Sequence, residues 1–409
     1  MTVPSSSPSM EMTPNNDSDS ELPPRTTSQT QVQRYIHETL SAALDELSST
    51  DGRPSITLKQ RSKKSTSLFI NPQTKALETV ETESRITYTW PGADVTEAWK
   101  FTVAFRVLAA IAGALSAGLM VSKRDIYYSD PACFGSQRVV DALVDDFAHT
   151  MGVERAALYV EAAAKGLVVG YYQLITKHQE VIDARFSSQD TLVPRTQDIH
   201  SIDLTDVEWV LILEKEAIYR RLASSNYDNT SAAGKGILVT VKGQHHHHPQ
   251  GKGYPDLSTR AFIRKLFDSR PQFTTTPRFY ALVDSDPDGM AIMATYKYGS
   301  MAFAHENRNF NLPDLHWLGL RTSDVIAGVI LSGDEALIRL TKRDRKKAIA
   351  MLSNNPVWAV DGPELEWRVE LQQMLMLNVK AETEILYDSE EGLVGWLDRK
   401  MVSLLPQSE

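Results

Sequence analysis

The stretch Phe279-Tyr280-Ala281-Leu282-Val283-Asp284-Ser285-Asp286-Pro287-Asp288-Gly289 decides the fold class of this chain. Five apolar residues with strand character end in an acidic turn, and the next residues, 289–298, are predicted to form a helix. Two earlier apolar segments, residues 209–213 and 236–241, are likewise followed by predicted helices. This alternation predicts an α/β domain with a parallel sheet covered by helices.

Acidic residues follow two of these predicted strands. Glu214 comes directly after the first strand, and Asp284, Asp286 and Asp288 follow the third. Because ligands of such sheets gather at the carboxyl ends of the strands, these side chains are expected to lie together. Mg²⁺ accepts one or two carboxylates beside substrate phosphate. The pattern favours a magnesium site with Glu214 and Asp286 as the main ligands, Asp284 beside them and Asp288 as an outer helper, although most Asp-x-Asp motifs are structural.

A second candidate site lies upstream, at Lys123-Arg124-Asp125-Ile126-Tyr127-Tyr128-Ser129-Asp130, after a helical segment predicted at residues 96–121. A phenol has a pKa near about 10, so it is a poor nucleophile unless a neighbour helps it. Arg124 can stabilise a developing phenolate or a crowded phosphate. Two adjacent tyrosines more often place one ring in the core and one at the surface, and that structural interpretation stays open. A tyrosine combined with magnesium carboxylates is the equipment for breaking DNA by transesterification.

The residues after this stretch have the pattern of a winged helix-turn-helix. Residues 137–149 and 154–164 are predicted helices, and residues 165–170 read as a glycine-bounded apolar hairpin. In such a domain the second helix faces a DNA groove. A small helical bundle is an equal alternative on this pattern.

Composition limits the classes of protein to consider. The chain has 409 residues, of which 42% are hydrophobic and 23% charged, which suits two or three globular domains. Its one cysteine, Cys133, excludes an intramolecular disulfide and a cysteine-rich zinc finger. The net charge of -9 argues mildly against nucleic acid, but basic runs at residues 53–64, 260–278 and 339–347 predict salt-sensitive binding to phosphate. The apolar residues 107–121 are too few to span a membrane and are predicted to be buried.

The expected organisation has five parts. Residues 382–384, near the C-terminus, are expected at the surface. The four histidines at 245–248 are expected in a polar loop rather than a metal site. The parts are a disordered tail at 1–30, a helix with a strand-and-turn region at 31–95, a winged-helix domain with the tyrosine at 96–185, a metal-binding α/β domain at 206–336, and a helical C-terminal extension at 337–409.

Several separate blocks of the sequence, in order, resemble the A-type chain of type IIB topoisomerase (topoisomerase VI) and the related eukaryotic meiotic double-strand-break transesterase. The resemblance covers most of the chain from about residue 99 to residue 386. The blocks are Lys-Arg-Asp-Ile-Tyr-Tyr at 123–128, Ala-Ala-Ala-Lys-Gly-Leu-Val at 162–168, Glu-Lys-Glu-Ala at 214–217, Gly-Lys-Gly-Tyr-Pro-Asp at 251–256, Val-Asp-Ser-Asp-Pro-Asp-Gly at 283–289, Tyr-Lys-Tyr-Gly-Ser at 296–300 and Trp-Leu-Gly-Leu at 317–320.

The resemblance implies a winged-helix (CAP-like) domain followed by a Toprim α/β domain, with a helical C-terminal part. The family's nucleophile falls on Tyr128 and its active-site arginine on Arg124. Its metal glutamate falls on Glu214, and its Asp-x-Asp falls on Asp284 and Asp286. The matched blocks also place DNA-binding positions at Tyr254, Lys252 and Lys165.

The resemblance further implies Mg²⁺ as cofactor and double-stranded DNA as substrate. Family members act as homodimers in which the tyrosine of one copy approaches the metal of the other, and a separate B-type protein binds ATP. The polar N-terminal tail is more like the eukaryotic, meiotic branch, which implies a nuclear protein that works with other proteins of the meiotic break complex. The alternative is a catalytically inactive DNA-binding scaffold of recombination complexes. The insertion at 244–250 departs from the family next to a DNA-facing block.

Overall fold

The computed structural model describes most of the chain between residues 27 and 404. The described residues are 27–60, 68–80, 84–161, 166–187, 189–240, 255–271, 276–301, 307–326, 337–389 and 391–404. Residues 27–30, which were predicted to belong to a disordered tail, are helical, so the first helix begins four residues earlier than expected. The rest of that tail and the four histidines at 245–248 lie outside the described residues.

The secondary structure is mixed. The helices are α1 Thr27–Ser48, α2 Val95–Ala117, α3 Lys123–Ser129, α4 Pro131–Phe134, α5 Gln137–Met151, α6 Glu216–Ser224, α7 Tyr227–Thr230, α8 Leu257–Asp268, α9 Pro287–Lys297, α10 Thr322–Asp324, α11 Lys342–Asn354, α12 Leu365–Leu377 and α13 Gly392–Ser403. The strands are β1 Ser55–Gln60, β2 Leu68–Ile70, β3 Leu77–Thr79, β4 Ser84–Thr89, β5 Val121–Ser122, β6 Val160–Glu161, β7 Leu167–Gly170, β8 Gln173–Thr176, β9 Val181–Asp183, β10 Thr191–Leu192, β11 Ile199–Asp203, β12 Trp209–Leu213, β13 Gly236–Thr240, β14 Arg278–Leu282, β15 Leu315–Gly319, β16 Ile338–Arg339 and β17 Val379–Lys380.

Helix α2 is the centre of the N-terminal part. The Asp94 side chain caps it by accepting from the Glu97 N–H at 2.8 Å, and Gly118 ends it with a φ of 64°. By length and composition α2 is apolar enough to cross a membrane. Its apolar face instead packs in a core shared with α1, α5 and β1, as predicted for this segment. Every fourth residue along this face is buried, namely Val103, Val107, Ile111 and Leu115.

Two expectations for the winged helix are wrong. A second helix was predicted at residues 154–164, but the described residues 154–161 form a 3₁₀ turn, Arg155–Leu158, because Tyr159 turns into the left-handed region at a φ of 57° and β6 follows. Residues 162–164 lie outside the described residues. Strand β7 is not a wing, because it pairs antiparallel with β13 in the main sheet. Val168 and Val169 are buried in the cores on opposite faces of that sheet, whereas a wing exposes one face.

The main sheet has six strands in the order β10-β7-β13-β12-β14-β15. Strand β12 pairs in parallel with β13 on one side and β14 on the other, and β14 pairs in parallel with β15. All five residues of β12 are buried, since helices cover both faces of the sheet. The predicted parallel sheet covered by helices is therefore confirmed, and its strands β12, β13 and β14 lie where the sequence placed them to within one residue.

The C-terminal helices complete both cores of this sheet. Leu371 and Met374 of α12 lie in the core on one face, and Trp396 and Leu397 of α13 lie in the core on the other. Between these helices, Ala381 forms a β-bridge with Ser285, which follows β14. The C-terminal part is helical, as predicted, but it is built into the sheet domain rather than appended to it.

Candidate active site

Helix α3 presents Tyr128 to solvent. Ser122 and Asp125 form a capping box that begins the helix, with the Ser122 Oγ accepting from the Asp125 N–H at 3.0 Å. Ile126 is buried and Tyr127 is half-buried against the N-terminal core, whereas the Tyr128 side chain is 58% exposed. One ring thus lies against the core and the other at the surface, as is usual for adjacent aromatics. The exposed ring is the one that the resemblance identifies as the nucleophile.

Arg124 lies one helical turn before Tyr128. Its Nη2 donates to the Tyr128 Oη at 3.5 Å, and its guanidinium carbon lies 5.5 Å from the centre of the ring. The hydrogen bond with Tyr128 raises the pKa of Arg124, so the arginine keeps its charge. A positive charge at this distance can stabilise negative charge that develops on the Tyr128 oxygen during a reaction.

A buried ion cluster holds α3 against the helix behind it. The Lys123 Nζ lies 2.5 Å from Oδ1 of Asp145 on α5, and the same oxygen lies 3.2 Å from Nη1 of Arg155. Burial lowers the pKa of Lys123, although the Asp145 carboxylate opposes that shift. The Asp145 carboxylate therefore pairs with two largely buried cations, one of them beside Arg124.

Replacing Asp145 with asparagine is expected to loosen α3. The change removes the carboxylate that Lys123 and Arg155 share, which costs about 3 kcal/mol and raises amide hydrogen exchange in α3 and α5 on the order of 100-fold. Hydrogen exchange followed by mass spectrometry measures this directly. The control is Glu391→Gln, which breaks an exposed pair with Arg399 at 2.8 Å and is expected to cost less than about 1 kcal/mol. Equal exchange in α3 for both variants would contradict the role of the cluster.

The carboxylates lie at the carboxyl ends of two paired strands. Glu214 follows β12 and Asp284 follows β14 closely, and the Asp284 N–H donates to the Glu214 Oε2 at 3.2 Å. A side chain at Gly289 has no room, since a Cβ there would lie 2.5 Å from the Asp284 carbonyl oxygen and 3.1 Å from the Glu214 Oε2. The structure thus brings the first and third predicted strand ends together.

Asp286 and Asp288 belong to the start of α9. Asp286 caps the helix, with its Oδ1 accepting from the Gly289 N–H at 2.7 Å. Asp288, in the first turn, is buried and contacts Nζ of Lys347 on α11 through its Oδ1. The two carboxylates therefore differ in their contacts, because Asp288 contacts the Lys347 ammonium and Asp286 accepts a hydrogen bond at the N-terminus of α9.

Asp284 is held by the C-terminal segment. Its Oδ1 accepts from the Thr383 N–H at 2.9 Å and from the Thr383 hydroxyl at 3.0 Å, and its Oδ2 lies 3.2 Å from the Lys215 Nζ. The expectation that residues 382–384 belong to the surface is wrong for Thr383, which is 2% exposed. No local pattern signals this contact, since Thr383 lies 99 residues away along the chain.

Burial and mutual repulsion raise the pKa values of these acids. Burial, with the nearby Asp284 and Asp286, raises the pKa of Glu214 to about 8. Burial also raises the pKa values of Asp284 and Asp286. A bound cation would stabilise the ionised form of these buried carboxylates.

The donor set fits a hard divalent cation, because it consists of carboxylate oxygens on a fixed strand edge. Within the described ranges, no three His, Cys, Asp or Glu side chains are already gathered as metal ligands. Asp284 and Asp288 instead contact lysines, whereas Glu214 and Asp286 accept hydrogen bonds from backbone N–H groups. Glu214 and Asp286 could therefore hold an ion.

The predicted DNA-binding residues Lys165, Lys252 and Tyr254 lie outside the described residues. Gly166, which follows Lys165, lies against the first turn of α8, since a Cβ at Gly166 would lie 2.5 Å from Oγ1 of Thr259. This contact requires a glycine after Lys165.

Two protein-family models match the chain. The model for the Toprim domain of Spo11 and of the A-type chain of topoisomerase 6 matches residues 209–395, and the model described as "Type IIB DNA topoisomerase" matches residues 99–160. The first range contains the carboxylates and continues beyond residue 336 into α13. The second range contains α3 and the ion cluster behind it.

Curated relatives give the same result. The chain is 34% identical over 289 residues to "Meiotic recombination protein SPO11" of Mus musculus, covering 70% of this chain and 67% of the relative. It is 34% identical over 295 residues to "Meiotic recombination protein rec12" of Schizosaccharomyces pombe, covering 72% and 75%. It is 32% identical over 297 residues to the A-type chain of DNA topoisomerase 6 of Arabidopsis thaliana, covering 72% and 64%.

Proposed function

The chain belongs to the family that comprises Spo11 and the A-type chain of topoisomerase 6, and from this premise we propose that it breaks DNA by transesterification through Tyr128. The observation that carries the proposal is the exposed Tyr128 beside Arg124, in a chain that also places Glu214 next to the Asp284 backbone at the strand ends. Relatives named as meiotic recombination proteins support a role in forming the double-strand breaks that initiate meiotic recombination.

In the proposed step the Tyr128 oxygen attacks a backbone phosphorus. A bond forms between that oxygen and phosphorus while the bond from phosphorus to the 3' oxygen breaks, so the phenol loses its proton and the departing 3' oxygen gains one. The product is a 5'-phosphotyrosyl ester and a free 3' hydroxyl. No water is consumed, so the energy of the broken bond is kept and the step is reversible.

The neighbouring residues have separate roles in this proposal. Arg124 stabilises negative charge that develops on the Tyr128 oxygen and on the phosphate in the transition state, because its guanidinium lies within reach of the Tyr128 oxygen. Glu214 and Asp286 would hold Mg²⁺, with Asp284 beside them and Asp288 as an outer helper. A bound divalent ion supplies charge neutralisation at the phosphate. Lys165, Lys252 and Tyr254 are proposed to contact DNA.

We place the reaction in a homodimer on double-stranded DNA, in the nucleus. Cutting both strands requires two nucleophiles, and each chain supplies one Tyr128. The resemblance implies that each tyrosine meets the carboxylates of the other copy, so that neither copy forms a full site by itself. The same resemblance implies a topoisomerase VI B-like partner that binds ATP.

A covalent attachment assay tests the proposal. The chain is immunoprecipitated from meiotic cells under denaturing conditions, and DNA ends in the precipitate are labelled with terminal transferase. We expect labelled oligonucleotides that stay with the protein until it is digested by protease. A chain that binds chromosomes but never carries labelled DNA would be a scaffold, and the proposal would be overturned.

A further inference from the structure

Lys215 has more acidic partners than any role as a simple surface lysine requires. Its Nζ lies 3.2 Å from the Asp284 Oδ2, 3.1 Å from the Glu382 Oε2 and 2.5 Å from the Glu384 Oε2. The Lys215 side chain is only 21% exposed, so the ammonium has exchanged much of its water for carboxylate oxygens. Lys215 directly follows Glu214, and its ammonium contacts Asp284 at the same strand edge.

The three carboxylates come from two distant parts of the chain. Asp284 follows β14 in the sheet, whereas Glu382 and Glu384 lie on the segment that follows β17. That segment is also joined to the sheet by the bridge between Ser285 and Ala381 and by the two hydrogen bonds from Thr383 to Asp284. Carboxylate oxygens from separate elements around one positive centre are an arrangement that proteins otherwise use for a hard metal ion.

The charges at the strand ends support the same comparison between the Lys215 ammonium and a metal ion. Of the four carboxylates there, Asp284 contacts Lys215 and Asp288 contacts Lys347. Glu214 and Asp286 contact backbone N–H groups. When both are ionised, Glu214 and Asp286 carry two negative charges, which one divalent ion would neutralise.

We propose that Lys215 is a built-in cation that takes the place of a second divalent ion and fastens the segment with Glu382 and Glu384 to the metal site. Lys215 is a positioning residue, because it acts on Asp284 and on the C-terminal segment rather than on substrate. The inference rests on the proposed metal site, and it specifies that this site takes one divalent ion per chain.

Metal stoichiometry tests the first half of the proposal. Mn²⁺ is titrated into the full purified chain, and free Mn²⁺ is followed by electron paramagnetic resonance. We expect one Mn²⁺ per chain for the wild type and for Lys215→Arg, and two for Lys215→Met, because the vacated carboxylates accept an ion. Adding Glu382→Gln and Glu384→Gln to Lys215→Met is expected to return the count to one.

Hydrogen exchange tests the second half. In EDTA, Lys215→Met is expected to raise amide exchange in the segment from Val379 to Tyr387 about tenfold, and Mn²⁺ is expected to reverse the rise. The matched control is Lys400→Met. Lys400 pairs with Asp324 at 2.5 Å and is 22% exposed, but it lies outside the carboxylate cluster. We expect this control to bind one Mn²⁺ and to leave exchange in the segment independent of Mn²⁺.

The outcomes separate the two levels of the proposal. A wild-type chain that binds no Mn²⁺ overturns the metal site and the role of Lys215 together. A wild-type chain and a Lys215→Met variant that both bind one Mn²⁺ leave the metal site intact and overturn the role of Lys215. If Lys215→Met does not fold, the Glu382→Gln/Glu384→Gln variant decides, since it is expected to raise exchange in the segment about tenfold with or without Mn²⁺. Unchanged exchange there would also overturn the proposal.

Discussion

Tyr128→Phe is expected to abolish DNA cleavage and covalent attachment while leaving the fold unchanged. The substitution removes one oxygen from a side chain that is 58% exposed, and the described contact that it removes is the exposed hydrogen bond from Arg124. Removing the atom that attacks phosphorus lowers the rate by more than about 10⁴-fold. The measurement is the yield of protein-linked DNA ends, with circular dichroism and thermal melting as the test of folding.

Tyr127→Phe is the matched control for this prediction. Tyr127 is the adjacent residue on the same helix, and its ring centre lies 5.2 Å from that of Tyr128. Its ring is half-buried in the N-terminal core, so the phenylalanine keeps the packing. We expect this variant to cleave DNA. If Tyr128→Phe still formed protein-linked breaks, or if Tyr127→Phe were the variant that lost them, the assignment of the nucleophile would be wrong.

Glu214→Gln and Asp286→Asn are each expected to lose cleavage by about 10³-fold or more, because each removes a carboxylate from the proposed metal site. Neither change is expected to unfold the chain. Burial raises the pKa of both acids, so a neutral amide relieves repulsion, and asparagine still caps α9 at residue 286. The measurements are cleavage in Mg²⁺ and the melting temperature in EDTA, which is expected to stay equal or to rise.

The control for the second prediction is Asp94→Asn. Asp94 caps α2 as Asp286 caps α9, with hydrogen bonds to the backbone of 2.8 and 2.7 Å, but it lies in the N-terminal part away from the acids. We expect this variant to retain cleavage. Full activity in Glu214→Gln or in Asp286→Asn would remove that residue from the metal site. A large fall of the melting temperature in EDTA would instead identify a structural role.

The sheet could be predicted because its sequence signal is local. The strand β12 is five apolar residues, all buried, followed at once by Glu214. A parallel strand covered on both faces requires such a run, and its end places the acid at the edge of the sheet. The spacing of Arg124 and Tyr128 is also local, since residues four apart share one face of a helix.

Two of the errors arose where distant residues decide the structure. Leu167–Gly170 looks like a hairpin strand, but its pairing with β13 depends on residues about 70 positions later. Thr383 looks like a surface residue between two glutamates, yet its partner is Asp284. Lys215 is next to Glu214 in the sequence, but its three carboxylates meet only after the C-terminal segment has folded onto the sheet.

The close packing around Gly289 limits which natural variants of this protein can be active. Even a methyl group there would press on the Asp284 carbonyl oxygen and on the Glu214 carboxylate, so one of them must retreat. A paralogue or an inherited allele with a larger residue at 289 is thus expected to encode an inactive protein, even when it retains every acid and the tyrosine. Genotyping that inspects only the reactive residues would miss it.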